Sequence, residues 1–365
     1  MTPNPDPPRL QITSPGEVAQ ILPYLIGFTP EESLVIAVID SSRVAVTARV
    51  DIADVREYGQ AESLLDRMWA RFPEADAYLV AYTADQPTGW ALLERCAAHL
   101  PAGAAKQTML IDTDTWQLPD GQTGPADRYG PVAAEASYYG LQRLPSRSEL
   151  VVGFACPPDT EELTAQVNAA LGTLPEPTNT DAVIARMGQL VHQYLPTDTE
   201  PSGSTALNVE DAVQLAVLAQ NGKAREVALL AMTRENADGH LNLWRGVVNR
   251  VPEFGAEAPL FLAGMAAWVG GEGAAASIAL ERTERVGEPG PFGPARLLSE
   301  LIDNVVPPST WDALRDDGLR NAEPRVRAAI AGDIAPTEWE SVPMRDPRHR
   351  PEPPDLAPPP PRIAI

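Results

Sequence analysis

Cysteine is nearly absent from this sequence. The 365 residues include only Cys96 and Cys156, which lie far apart and form no C-x-x-C pair. Two such cysteines cannot build the disulfide framework of a small secreted domain or a cysteine-rich zinc site. We interpret both as small buried apolar residues, and we expect the protein to occupy a reducing compartment.

Positive charge is also scarce, with 28 basic against 50 acidic residues and a net charge of −22. Lys106 and Lys223 are the only lysines, so the other basic residues are arginines, a bias expected of a GC-rich genome. A strongly negative field repels phosphate backbones and anionic lipid surfaces. We therefore expect binding neither to nucleic acid nor to membranes.

Long hydrophobic runs are missing. None approaches the roughly 20 residues needed to cross a bilayer. The opening "MTPNPDPPRLQ" has neither the basic start nor the apolar centre of a signal peptide. These features predict a cytoplasmic protein. The length of the chain is enough for two domains, each with its own hydrophobic core.

Common catalytic and cofactor motifs are missing as well. The sequence has no GxxxxGK[ST] phosphate loop, no GxSxG elbow and no GxGxxG after a strand. The four histidines share no metal-ligand spacing: His99, His192, His240 and His349. We therefore predict neither a metal nor a cofactor, and we lean towards a protein that is not an enzyme.

The N-terminal part alternates strand and helix patterns. "SLVIAVID" and "RVAVTARVD" are strand-like and are joined by turn residues at 40–42, which predicts a hairpin. Helix-like and strand-like stretches then alternate: "GQAESLLDRMWARF", "DAYLVAYT", "GWALLERCAAHL" and "KQTMLIDT". We predict an α/β domain over residues 10–155, with a mixed sheet and helices, a Gly/Pro loop at 117–131 and a later strand at "VVGFA".

The C-terminal part shows only helical patterns after a predicted linker at 156–180. Helices are expected at 182–195, 209–220, 223–235, 240–250, 257–270, 273–286, 294–306 and 309–317. They predict an all-α, helical-hairpin domain over 181–334. The proline-rich ends, residues 1–9 and 335–365, are predicted to be disordered.

One helical pair suggests a function. "LFLAGMAAWVGGEGAAASIALERTERVGEP" resembles a degenerate tetratricopeptide hairpin, with small residues at close contacts and a Gly turn. It is a single unit where about three are needed for a solenoid, so an ordinary helical bundle is the alternative. A hairpin groove would bind a protein or peptide partner. Our first functional hypothesis is therefore a cytoplasmic interaction or regulatory protein; the oligomeric state stays open.

The stretch "TMLIDTDTW" suggests an enzyme instead. It resembles the first motif of haloacid-dehalogenase-like phosphatases, which implies Asp112 as phosphoryl acceptor and Asp114 as general acid beside magnesium. The other parts of such a site fit badly, because "VVGFA" does not end in Ser or Thr and Lys223 falls in the helical half. The alternative is a strand that simply ends in a polar turn.

The strand ends suggest a more general site. Ligands of open α/β sheets bind at the carboxyl ends of strands. The polar residues at or near predicted strand ends are Asp51, Tyr82, Asp112 and Asp114. Our alternative functional hypothesis is thus an enzyme or small-molecule-binding protein with a cleft formed by these four residues.

A pattern occurs twice near the N-terminus, as "SPGE" at 14–17 and "TPEE" at 29–32. In each copy a hydroxyl residue can cap a helix and proline takes the first helical position. Glutamate at the third position can accept a hydrogen bond from the backbone N–H of the capping residue. A phosphate cradle would need a helix N-terminus without such negative charge. We interpret both copies as helix starts, the second of one turn.

The segment "ITSPGEVAQILPYLIGFTPEESLVIAVID", followed by "RVAVTARVD", resembles the opening of domain-of-unknown-function family 4192. The resemblance continues at "YGPVAAEASYYGLQRLPSRSEL" and through the helical pair to "ARLLSELIDNVVPPSTWDAL". Relatives carry a Trp-Tyr pair and cysteines after the position of Trp116, where this chain has "QLPDGQTGPADRYG". A site using those groups would be altered or missing here. The resemblance implies an architecture and no catalytic residue.

Overall fold

The computed structural model of the protein describes residues 12–57, 59–127, 129–138, 141, 143–172, 174, 179–195, 206–286 and 292–333. Both predicted disordered ends, 1–9 and 335–365, lie outside the described residues.

The N-terminal half contains a six-stranded mixed sheet. Its strands are β1 Ser33–Asp40, β2 Arg43–Asp51, β3 Asp76–Tyr82, β4 Ala105–Asp112, β5 Thr115–Gln117 and β6 Thr123–Pro125. They lie in the order β2-β1-β3-β4-β5-β6. β3 and β4 run parallel, whereas the other neighbouring strands are antiparallel. The carboxyl ends of β3 and β4 therefore lie side by side.

Helices pack on both faces of this sheet. The helices of this half are α1 Pro15–Ile26, α2 Ile52–Val55, α3 Gln60–Arg71, α4 Gln86–His99, α5 Pro131–Tyr138 and α6 Arg147–Val152, of which α5 packs on α1. Alternate residues of a strand point to opposite faces. Leu79 and Leu110 accordingly pack in one cluster with α3 and α4, while Val80 and Met109 pack on the side of α1. The predicted α/β domain with a mixed sheet is confirmed.

The C-terminal half is helical. Its helices are α7 Glu161–Leu171, α8 Thr180–Tyr194, α9 Val209–Gln220, α10 Gly222–Leu230, α11 Ala237–Val248, α12 Glu257–Gly270, α13 Gly273–Val286, α14 Ala295–Asp303, α15 Trp311–Asn321 and α16 Pro324–Ala331. No strand follows Pro125 in the described part of the chain. The helical class is confirmed. The described helices include none long and apolar enough to span a bilayer.

α12 and α13 form the expected hairpin. Gly271 ends α12 with φ 87°, a left-handed conformation that glycine adopts at little cost. The further likeness of this pair to a tetratricopeptide repeat stays a prediction.

The two halves share a hydrophobic core. Val80 and Met109 of the sheet belong to the same cluster of buried side chains as Met187 of α8 and Leu260 of α12. The range 156–180, predicted as a linker, contains α7, which packs against α9. The division into an α/β domain at 10–155 and a helical domain at 181–334 stays a prediction.

Two local predictions were wrong. The range 117–131 was expected to be a loop, yet it contains β6, which pairs with β5. Here Trp116 packs so closely on Gly124 that a Cβ there would lie 2.5 Å from the indole ring. "VVGFA" was expected to be a strand, yet its two valines end α6, which Ser146 caps by accepting a hydrogen bond from the Glu149 backbone N–H.

Candidate functional site

A cleft of about 280 Å³ opens at the carboxyl ends of β3 and β4. α1 forms one wall, and the segment between α1 and β1 forms another. The lining residues are Ala19, Gln20, Pro23, Thr29, Pro30, Glu31, Glu32, Tyr82, Thr83, Ala84, Ile111, Asp112, Thr113, Ala126, Asp127 and Arg143. The cleft thus occupies the position where ligands of α/β sheets bind.

The two copies of the repeated pattern have different structures. In the first, Ser14 Oγ accepts from the Glu17 backbone N–H (3.3 Å) while the Glu17 carboxylate accepts from the Ser14 N–H (3.0 Å). This capping box confirms the predicted helix start. The second copy, 29–32, is not helical. The prediction of a helix start there was wrong. The Thr29 backbone N–H donates instead to the carbonyl of the distant residue Leu144.

Glu32 is fixed across the end of β3. The buried Thr83 hydroxyl lies 3.0 and 2.9 Å from the two carboxylate oxygens of Glu32. Glu32 also has φ 42°, a left-handed conformation that costs a non-glycine residue about 1 to 2 kcal/mol. Strained residues of this kind cluster at functional sites.

Two buried polar atoms of the cleft lining have no hydrogen-bond partner among the described residues. They are Oη of Tyr82, whose side chain is only 6% exposed, and Oε1 of Gln20. Burial raises the pKa of the Tyr82 phenol well above its usual range, so the hydroxyl keeps its proton. A buried polar atom without a partner costs about 1 to 3 kcal/mol. Neither atom has accessible surface, so a molecule in the cleft would not contact either one.

Of the four residues predicted to form a cleft, Tyr82 and Asp112 line it, and Asp51 and Asp114 do not. Asp51 lies at the end of β2 and pairs with Arg49 at 2.5 Å.

Asp114 is exposed in the tight turn that joins β4 to β5. Because the chain reverses there at once, β5 pairs directly back on β4 at Asp112 and Thr115. The Asp-x-Asp pattern therefore contributes one carboxylate to the cleft, rather than the two of the phosphatase hypothesis.

The cleft lining is predominantly acidic. Four of its residues carry carboxylates: Glu31, Glu32, Asp112 and Asp127. Its one basic residue is Arg143, whose guanidinium lies 5.4 Å from the centroid of the Tyr24 ring. Within the described ranges, no three His, Cys, Asp or Glu side chains are grouped so as to hold a metal ion.

Sequence reasoning missed most of the cleft. Thr83 could have been found, because it directly follows Tyr82 at the end of β3. Glu31 and Glu32 were noticed but assigned to a helix start. Asp127 and Arg143 lie in segments without a recognisable pattern, and no local signal marks them.

Comparison with known proteins gives one match. Residues 15–309 match the family described as "Domain of unknown function (DUF4192)". No curated protein and no solved structure matches the chain. The matched range begins at the start of α1, covers most of the chain and includes every residue that lines the cleft. The chain therefore belongs to the DUF4192 family.

Proposed function

We propose that the protein binds a small polar molecule in the cleft at the ends of β3 and β4. The observation that carries this proposal is the cleft itself, which opens at the carboxyl ends of two parallel strands and is lined by polar side chains. Asp112 ends β4 and is among the lining residues. A polar ligand could form hydrogen bonds with its carboxylate.

The position and size of the cleft support the proposal. It lies at the carboxyl ends of neighbouring parallel strands, the usual ligand position in α/β sheets. Its volume of about 280 Å³ is close to the lower end of the roughly 300 to 1,000 Å³ typical of ligand pockets. A molecule of metabolite size is therefore the expected occupant.

The test is a binding screen of small polar compounds, followed by ligand-observed NMR on Asp112→Asn. This variant keeps the size of the side chain at the cleft and removes its charge. We expect at least one compound to bind the parent and to bind the variant about ten-fold more weakly, the loss of one charged hydrogen bond.

Asp114→Asn is the matched control, because Asp114 lies in the same turn and does not line the cleft. Its binding should equal that of the parent. The proposal fails if no compound binds, or if every bound compound tolerates Asp112→Asn.

A protein or peptide partner of the helical half is the second proposal, carried over from the sequence. Residues 258–269 of α12 are all buried, so a partner could not use that helix as the wall of a groove. The exposed ring of Phe254 offers one accessible contact. The test is a pull-down from native lysate, in which loss of a stoichiometric partner on Phe254→Asp would support this site.

A cytoplasmic location is also proposed, and the free thiols of Cys96 and Cys156 support it.

A further inference from the structure

We infer that α16 is a detachable strap, which covers a helix-binding groove between α8 and α10 and opens without the rest of the fold. α8 and α10 pack on each other, and α16 packs on both, so it lies over the groove where they meet. Both groove helices fall within the range 15–309 that matches the family, whereas α16 lies beyond it. The inference concerns the helical half and is independent of the cleft.

The apolar contact of α16 with the groove is small. Two of its eight side chains are buried, Val326 and Ala329. Docking therefore removes little apolar surface from water, and burial of such surface is the main force that holds a helix in place. An isolated helix of eight residues is not stable in water, so α16 unfolds when it leaves the groove.

The ion pairs of α16 add little to this contact. Arg325 lies 2.6 Å from Asp181, next to the start of α8, and Glu323 lies 3.0 Å from Lys223 of α10. All four side chains are at least 41% exposed. Ion pairs with this exposure contribute little to stability. α16 thus belongs to the low-stability part of the fold, which opens locally.

The groove fits a helix closely in spite of this small contact. A Cβ at Gly188 of α8 would lie 2.8 Å from the carbonyl oxygen of Ala329 and 3.0 Å from its Cβ. Nε2 of His192, one turn further along α8, donates to the carbonyl oxygens of Ala329 and Ile330 at 3.2 and 3.0 Å. The last carbonyls of a helix lack partners within the helix. His192 therefore marks the point where a bound helix ends.

These contacts define the partner that the open groove accepts. It is a short helix with alanine or glycine opposite Gly188, an aliphatic residue three positions earlier, and its C-terminal end at His192. A spacing of three residues places both side chains on one face of a helix. Docking of an amphipathic helix in a groove is a common mode of peptide recognition. α16 competes with such a helix from within the same chain.

Native-state hydrogen exchange of the full chain tests the opening. The amides of residues 327–331 in α16 are compared with those of residues 258–269 in α12. We expect at least about 100-fold less protection in α16. Its exchange rate should also be insensitive to low urea, because a local opening exposes little surface. Exchange of both helices through one global opening would reject the strap.

A labelled peptide of residues 322–333, followed by fluorescence anisotropy, tests the groove. Val326→Asp should expel α16, and this full-length variant should bind the peptide with a Kd below about 1 mM. The parent should bind it at least about ten-fold more weakly, because α16 occupies the groove. Val152→Asp makes the same change at an exposed position and should behave like the parent. Equal binding to the parent and to Val326→Asp would place the contact elsewhere.

Gly188→Ala separates the groove from other surfaces. The added Cβ has no room beside Ala329, so exchange in α16 should rise about ten-fold or more while exchange in α12 stays the same. Gly273→Ala is the control, because a Cβ there meets open space. Added to Val326→Asp, Gly188→Ala should abolish peptide binding.

Circular dichroism checks that each variant folds, and the exchange measurement on Gly188→Ala alone decides if Val326→Asp does not. Peptide binding that survives Gly188→Ala would reject the groove. The inference also fails if the folded Val326→Asp variant binds no peptide, or if Gly188→Ala and Gly273→Ala change exchange in α16 equally.

Discussion

The Thr83 hydroxyl lies 2.9 Å from Oε2 of Glu32, although the two residues are 51 positions apart in the chain. The contact joins the end of β3 to the segment before β1, and both residues line the cleft. Because Glu32 has a left-handed backbone, this hydrogen bond helps to hold a conformation that the residue would not favour alone.

Removing this bond should weaken the fold locally. Thr83→Val keeps the shape of the side chain and removes the hydroxyl, which donates to Glu32 and accepts from the Asp85 backbone N–H at 3.1 Å. We therefore expect the free energy of unfolding to fall by about 1 to 2 kcal/mol. Denaturant unfolding measures the change. Thr108→Val on β4 is the control for the same chemical change, and Thr83→Ser should restore most of the loss. Equal effects of Thr83→Val and Thr108→Val would contradict the role of the Glu32 contact.

The two copies of the repeated pattern should respond differently to alanine. Ser14→Ala removes a helix cap and should cost about 1 kcal/mol of unfolding free energy. Thr29→Ala removes no cap, because residues 29–32 are not helical, and should cost less than about 0.5 kcal/mol. Thermal or urea unfolding of both variants tests the comparison, and the reverse order would show that the second copy also caps a helix.

His240 should make the protein sensitive to acid. Burial lowers the pKa of His240 to about 4, from an ordinary value of 6.5. Between pH 6.5 and 4, His240 therefore binds a proton in the unfolded chain but not in the folded protein. The contribution of the neutral His240 to the free energy of unfolding is complete above pH 6.5 and is lost as the pH falls towards 4. The full loss of unfolding free energy is about 3 kcal/mol.

Urea unfolding of the parent and of His240→Leu across this pH range tests the effect. The parent should lose stability relative to the variant as the pH falls towards 4. A difference between the two proteins that stays constant with pH would show that His240 titrates normally in the fold.

The contact between α8 and α9 depends on Asp211. The Tyr194 hydroxyl donates to its carboxylate at 2.6 Å, and Arg186 pairs with it at 3.3 Å. Asp211 is 8% exposed and Arg186 is half-buried, so Asn at this position would remove the negative charge that compensates the guanidinium and leave one oxygen for its donors. We expect Asp211→Asn to lower the free energy of unfolding by about 2 to 4 kcal/mol. Glu210→Gln, at the neighbouring exposed position, is the control and should change it by less than about 0.5 kcal/mol.

Much of the fold could be predicted because its patterns are local. "SLVIAVID" is strand β1, and Asn208 caps α9 as its sequence indicates. The exceptions depend on distant partners. β5 and β6 have three residues each, too few for a periodic pattern, and they form where Trp116 packs on Gly124. "VVGF" is a short apolar run, which periodicity cannot assign to strand or helix.

The site was less predictable than the fold. Tyr82 and Asp112 could be proposed because each ends or nearly ends a strand, and strand ends are recognisable in the sequence. Glu32 could not be assigned correctly, since "TPEE" has the same local chemistry as "SPGE" and differs in its contacts with the distant residues Leu144 and Thr83. Asp127 and Arg143 reach the cleft through tertiary packing alone.

The shared core has a consequence for experiments on fragments of the chain. Val80 and Met109 belong to the same buried cluster as side chains of the helical half, including Met187 and Leu260. Cutting the chain between the sheet and the helices would uncover the α1 side of the sheet, the side on which the cleft opens. We expect the isolated N-terminal half to aggregate, and the intact chain to unfold in one cooperative step. Occupation of the cleft should then slow amide hydrogen exchange in the helical half as well as in the sheet.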